Sequence, residues 1–250
     1  MNDLLRRKPP HTGSLTHTVY ERVRSQVLSG LIKPGQKLKI QDLVEQMDAN
    51  QGAVREALSR LASEGLVLAE PQKGFRARPI SRAELLDLTQ VRIGIETQCL
   101  TRALKAGDLR WESGVMAAHH ELSRTPEKAR DPDTPSPRLR MNETWSERHG
   151  RYHEALTSSC DSPWLLRLRS QLFAQAERYR LLSVPLEGED RDVDAEHRAI
   201  LDAAIARDTK RTCALITDHF NMTAETLLKN LEFDEDGDVS HRPSPRGLLR

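Results

Sequence analysis

Residues 50–65 read Asn-Gln-Gly-Ala-Val-Arg-Glu-Ala-Leu-Ser-Arg-Leu-Ala-Ser-Glu-Gly, and no other stretch of the 250-residue chain limits its fold as tightly. Val54, Ala57, Leu58 and Leu61 recur at i, i+3, i+4 and i+7, which puts them on one face of a helix. Arg55, Ser59 and Arg60 fall off that stripe and point outward. Gly65 follows, where a left-handed residue ends a helix cheaply. A short amphipathic helix with outward arginines fits a DNA major groove, but many surface helices share the pattern. Its flanks decide what it belongs to.

Upstream, a helix is predicted from about Thr16 to Ser29, with Val19, Val23, Val27 and Leu28 inward. Gly30 and Lys33-Pro34-Gly35 are turn signals. A second helix fits Ile40 to Met47, with Leu43, Val44 and Met47 inward, and the polar turn Asp48-Ala49-Asn50 leads into the third. Downstream, Leu66–Ala69, a basic turn over Glu70–Gly74 and Phe75–Arg78 read as a β-hairpin. Three helices and a hairpin make a winged helix-turn-helix over residues 14–80.

Charge agrees with that reading. The net charge is +1, but the first 80 residues carry 13 Lys and Arg against 8 Asp and Glu, and the remainder is mildly acidic. A basic small domain joined to an acidic larger one suggests nucleic-acid contact at one end only. No apolar run approaches the roughly 18–20 residues that span a bilayer, so no membrane partner is expected. Met1–Pro10 has no apolar core of a secretory signal. Cys99, Cys160 and Cys213 are far apart and odd in number, which reads as reduced, mostly buried thiols in a cytoplasmic protein.

Ser81-Arg82-Ala83-Glu84 is a capping box that opens a longer helix. From there to about Phe233 only helical periodicities appear, broken by two loops, Thr125–Arg138 and Ser183–Asp192. The chain is therefore read as mainly α, its winged unit followed by an all-helical bundle of six or seven helices over residues 81–233. Residues 1–13 and 234–250 are expected to be disordered.

These features together resemble the GntR superfamily of bacterial transcription regulators. The likeness is carried by Gly30, Pro34, Gly35, Ala53–Leu58, Leu61, Glu64-Gly65-Leu66 and Gly74. The helical remainder is similar to the effector-binding FCD domain of the FadR-type branch, and the two likenesses cover about residues 15–232. Within that branch, the stretch Trp145–Arg180 looks most like the carbon-starvation-induced repressors of glutarate and hydroxyglutarate catabolism. The resemblance implies a two-fold homodimer that reads an inverted-repeat DNA operator. It assigns Arg55 to the major groove, where a bidentate Arg–guanine contact is worth about 1–3 kcal/mol of discrimination. The plain alternative is Arg55 paired with a nearby Glu on the helix surface. Arg60 and Lys73 are assigned to phosphates, and Gly74 lets the wing tip approach the minor groove. Asn50, Gln51 and Gln41 complete the candidate DNA-contacting set. Some relatives carry Arg where this chain has Gln41 and Gln51, and Gln pairs with adenine, so their operator is not transferable.

His149 and His153 are spaced i, i+4 and project from one helix face, while His197 and His219 lie on two other predicted helices. Such imidazoles can converge inside a bundle, although scattered histidines are more often solvated or capping. The resemblance adds weight: in the metal-binding part of the branch, one Asp and three His hold a divalent cation, zinc or nickel. His153, His197 and His219 match the three His positions, and His149 stands at the Asp position. Neutral His cancels none of the ion's charge. A four-nitrogen site would stay at +2, favour zinc, nickel or copper over magnesium or calcium, and attract an anion. Alternatively, His149 contacts the ligand in a site without metal. Arg92 matches a pocket-facing arginine that can take a carboxylate bidentately, or it pairs with Glu96 four residues on. Arg178 is a further ligand candidate, followed by Arg148, Arg151 and Tyr179. His11, His17, His119, His120 and His241 read as surface residues; Trp111, Trp145 and Trp164 read as core.

The implied function is a ligand-responsive DNA-binding regulator, not an enzyme. It reads as a repressor released by a small carboxylate, a dicarboxylate or hydroxy acid such as a C5 diacid. Two alternatives stand beside it: a ligand-independent dimeric DNA-binding protein, and a metalloenzyme. The second lacks both a His-Glu-x-x-His motif and a nucleophile elbow.

Overall fold

The structure, a computed structural model, describes residues 14–130, 139–182 and 191–231. The expected disorder at residues 1–13 and 234–250, and the surface positions of His11 and His241, lie outside the described residues. The chain divides into two units, Met1–Pro79 and Ile80–Arg250, and is mainly helical.

The first unit runs α1 (Leu15–Leu28), β1 (Lys37–Leu38), α2 (Ile40–Met47), α3 (Gln51–Ser63), β2 (Val67–Glu70) and β3 (Gly74–Ala77). The apolar stripe of α3 is its buried face: Val54, Ala57, Leu58 and Leu61 lose all solvent exposure against Val19, Val23 and Val27 of α1 and Leu43 and Met47 of α2. The α2–α3 turn is tight because Asp48 takes a left-handed conformation, φ 50°, which a short polar side chain tolerates. Asn50 then caps α3, its side chain accepting from the Ala53 N–H at 2.8 Å, which satisfies one of the helix's orphan donors. Gly65, at φ 75°, ends the helix.

The wing is a three-stranded antiparallel sheet in the order β1-β3-β2, with Val67 opposite Ala77 and Glu70 opposite Gly74. Strand β1 is additional to the predicted hairpin. It is only two residues long, too short to show a period of two, yet it pairs Lys37 with Arg76 and ties the α1–α2 connection to the wing.

The second unit holds six helices among the described residues: α4 (Arg82–Ala106), α5 (Leu109–Ser123), α6 (Glu143–Thr157), α7 (Pro163–Leu182), α8 (Val193–Ile205) and α9 (Thr209–Asn230). Ser81, Asp108, Asn142, Asp192 and Asp208 cap five of them through side-chain oxygens. Helices α4 and α9 run antiparallel. Leu85 packs with Leu227, the Arg92 guanidinium lies 3.8 Å from the Phe220 ring centre, and Thr101 Oγ1 is 3.8 Å from Cys213 Sγ. Trp111, Trp145, Tyr152, Leu156 and Ile200 form the core between the helices.

Three sequence expectations fail here. The segment read as a loop over Thr125–Arg138 contains β4 (Lys128–Arg130), which pairs antiparallel with β5 (Leu139–Met141); three-residue strands of mixed polarity leave no periodic trace. Trp164 is 69% exposed, with the Arg167 guanidinium 4.6 Å from its ring centre. His119 is buried, edge-on to Tyr152, because it falls on the inner face of α5 with Trp111, Val115 and Leu122. No described helix is long and apolar enough to cross a membrane.

Candidate functional site

The exposed face of α3 presents Gln51, Arg55, Ser59 and Arg60. Arg55 makes no ion pair with another described residue, so the surface pairing left open by the sequence is not formed. Arg60 is less free: its guanidinium stacks 3.8 Å over the Tyr20 ring and its Nε is 3.4 Å from Glu64 Oε1. Asn50 spends its side-chain oxygen on the cap of α3. Gln41 and Gln51 sit side by side, 3.5 Å apart. Lys73 is exposed at the wing turn, between Gln72 and Gly74, which both take positive φ. The outward set of α3 thus carries cations and amides beside Glu56, which accepts from Thr16, and the wing turn carries Lys73 beside Glu70, which pairs with Arg76 at 3.3 Å.

In the second unit, His149 and His153 of α6, His197 of α8 and His219 of α9 converge. Their donor atoms all lie within 4.8 Å of one another, and all four residues are buried. The Nε2 atoms of His149 and His153 are 3.1 Å apart. Burial pushes all four imidazoles below their ordinary pKa, and the neighbouring rings and arginines add to the shift at His149 and His153. The cluster is therefore neutral, the form that binds metal. At His219 the contact to Glu196 opposes the shift, with Nδ1 2.6 Å from Glu196 Oε2.

The donor set fits a borderline divalent ion. Nδ1 of His149, Nδ1 of His153 and both nitrogens of His197 are buried without a hydrogen-bond partner among the described residues. Buried polar atoms are rarely left so, and several in one place need a common explanation. His149, His153, His197 and His219 would each hold such an ion through one ring nitrogen.

A cavity of about 110 Å³ opens beside the cluster, lined on one side by His149, His219 and Arg92 and on another by Leu85, Leu88, Ala224 and Leu227. Arg92 does not pair with Glu96, as the sequence allowed; Glu96 is taken by Arg169 at 3.0 Å. Arg92 instead lies over Phe220, its Nε without a hydrogen-bond partner among the described residues, and burial pushes its pKa down to about 10. Arg178, the other arginine candidate, is buried on α7 but does not line the cavity. Arg180 does. Two residues along a helix is a turn of about 200°, which sends the two side chains to opposite faces. Arg180 lies over Trp145, itself stacked on His149 at 4.7 Å, and is held by Glu177. Arg191 and Glu127 also line the cavity, and burial raises the Glu127 pKa. Sequence reasoning missed Arg180, Arg191 and Glu127. They lie on the α7 terminus, a connection and the unread hairpin, where no periodicity marks an inner face.

Comparison with known proteins agrees with both units. Residues 15–76 match the bacterial regulatory proteins of the gntR family, and residues 87–222 match the FCD domain. The chain is 36% identical over 215 residues to the "uncharacterized HTH-type transcriptional regulator BphR" of Paraburkholderia xenovorans LB400, covering 86% of this chain and 85% of that one. It is 33% identical over 207 residues to the HTH-type transcriptional repressor GlaR of Escherichia coli K12, covering 80% and 90%. Among solved structures, E. coli McbR/YncC shares the fold with a TM-score of 0.69 at 20% identity, covering 87% of this chain and 99% of that one. These relatives are regulators, and the metalloenzyme alternative falls with them. A chain that joins a winged helix-turn-helix to a helical unit holding a buried histidine cluster belongs to the GntR family of bacterial transcription regulators, in the branch that carries an FCD domain.

Proposed function

We propose that the protein is a dimeric repressor that binds an inverted-repeat operator through α3 and the wing and is released by a small carboxylate held beside the histidine cluster. The observation that carries this reading is the meeting of four buried, convergent histidines with a cavity that His149, His219 and Arg92 line. The cluster holds zinc or nickel, ligated by His149, His153, His197 and His219. A bound divalent ion supplies an electrophilic position for one carboxylate oxygen. The protein's own groups do the rest. Arg92 offers a guanidinium without a carboxylate partner among the described residues, Trp145 closes one wall, and Leu85, Leu88 and Leu227 exclude water from the ligand's carbon chain. A dicarboxylate or hydroxy acid such as a C5 diacid fits the mixture of cations and apolar walls, in keeping with the resemblance of Trp145–Arg180 to repressors of glutarate and hydroxyglutarate catabolism. Release of DNA can be no stronger than the ligand's preference for the DNA-free arrangement.

A thermal-shift screen of C4–C6 dicarboxylates and hydroxy acids, with and without chelator, tests the reading. A ligand that binds only the folded state raises stability by RT ln(1 + [L]/Kd). A shift that chelator abolishes, with loss of binding to intergenic DNA beside the gene, is expected. No shift with any of them contradicts it.

A further inference from the structure

We propose that Glu196 is the positioning residue of the histidine cluster: gripped by Arg191, it fixes His219 as the Nδ1–H tautomer and so turns the Nε2 lone pair toward the metal. The inference rests on the metal reading above.

The geometry has three parts. Glu196 Oε2 is 2.6 Å from His219 Nδ1. The same oxygen is 2.7 Å from Arg191 Nη2, and the other, Oε1, is 2.7 Å from Arg191 Nε. Arg191 Nη2 also donates to Thr223 Oγ1 at 3.0 Å and to the His219 carbonyl at 3.2 Å. A bidentate guanidinium holds a carboxylate in one orientation. An ionised carboxylate only accepts, so Nδ1 of His219 must carry the proton, and Nε2 is left as the donor atom.

The other three rings have no such partner. His149 and His153 contact each other, and both nitrogens of His197 are without a hydrogen bond among the described residues. Among the described residues, Glu196 is therefore the one carboxylate bonded to a ring of the cluster. That matters most in this chain, because four neutral imidazoles bring no negative charge of their own. A carboxylate behind a ligating imidazole raises its basicity and holds its plane, and loss of such a partner costs about 10–100-fold in metal affinity. Helix α8 supplies both parts from adjacent positions, His197 inward to the cluster and Glu196 a quarter-turn round to the α9 histidine.

The test is the zinc affinity of the full chain, stripped of metal and titrated against a chromophoric chelator. Glu196→Gln should weaken zinc by about 10–100-fold, with the metal-free protein still melting in one cooperative transition, and Glu196→Asp should recover part of the loss. An affinity for Glu196→Gln within twofold of the parent overturns the proposal. Should that variant fail to fold, two-bond ¹H–¹⁵N spectra of the zinc-loaded parent decide: His219 protonated at Nδ1 supports it, and His219 protonated at Nε2 overturns it. A parent chain that takes up neither zinc nor nickel removes the metal reading and this inference together. A parent that binds as tightly as Glu196→Gln removes the inference alone.

Discussion

The Nε2 atoms of His149 and His153 lie 3.1 Å apart on one face of α6, one helical turn from each other. Two imidazoles this close, both buried, cannot both be charged, and His197 and His219 oppose protonation further. Each of the four has a folded-state pKa below its unfolded value of about 6.5. Below that pH the unfolded chain binds protons that the folded cluster refuses, so stability falls with acidification. Metal-free protein should lose melting temperature from pH 7 to pH 5, and His153→Leu should flatten that slope. Glu196, held at about 2 mainly by Arg191 and His219 against the opposing effect of burial, acts in a separate window, below its ordinary value of 4.5. Melts in chelator across the pH range check both. A slope unchanged by His153→Leu contradicts the cluster's part in it.

Arg55 is exposed on α3 and makes no ion pair with another described residue. Arg55→Ala should cost about 1–3 kcal/mol of operator discrimination, roughly five- to a hundredfold in affinity, and leave the melting temperature unchanged. Fluorescence anisotropy on operator and scrambled duplexes reads both affinities. Equal losses on the two would make Arg55 a phosphate contact instead.

Lys73 stands at the tip of the wing, beside Gly74. Lys73→Ala should weaken binding to all duplexes alike and lower the slope of log affinity against log salt by about 0.9, the value of one phosphate contact. A change confined to the operator would show base reading at the wing.

Arg92 lines the cavity over Phe220. Arg92→Met keeps the bulk and removes the charge. It should weaken carboxylate binding about ten- to a hundredfold, the worth of a hydrogen bond to a charged group, without changing zinc uptake. Calorimetry with the best carboxylate of the screen measures it.

The winged unit was largely legible in the sequence because its helices are short and one-sided. The stripe Val54, Ala57, Leu58 and Leu61 named the buried face of α3, and Ile40 to Met47 gave the limits of α2. The histidines could be proposed from family likeness, but their convergence could not be read: it depends on three helices meeting, and periodicity speaks only of one helix at a time. The same reason hid the cavity's second layer. Nothing in the sequence marks Glu196 and Arg191 as partners, and His119 reads as a surface residue, until α5, α8 and α9 are packed. The Glu177–Arg180 run does not say which side of α7 faces inward, so Arg178 reads as a pocket residue as readily as Arg180. The strands β1, β4 and β5 are too short to leave a pattern.

Metal content tests the central claim most directly. Protein purified without a histidine tag and measured by native mass spectrometry should carry about one zinc or nickel ion per chain, lost in the paired variant His153→Ala with His197→Ala. An empty parent chain that does not fill when zinc or nickel is added would contradict the account.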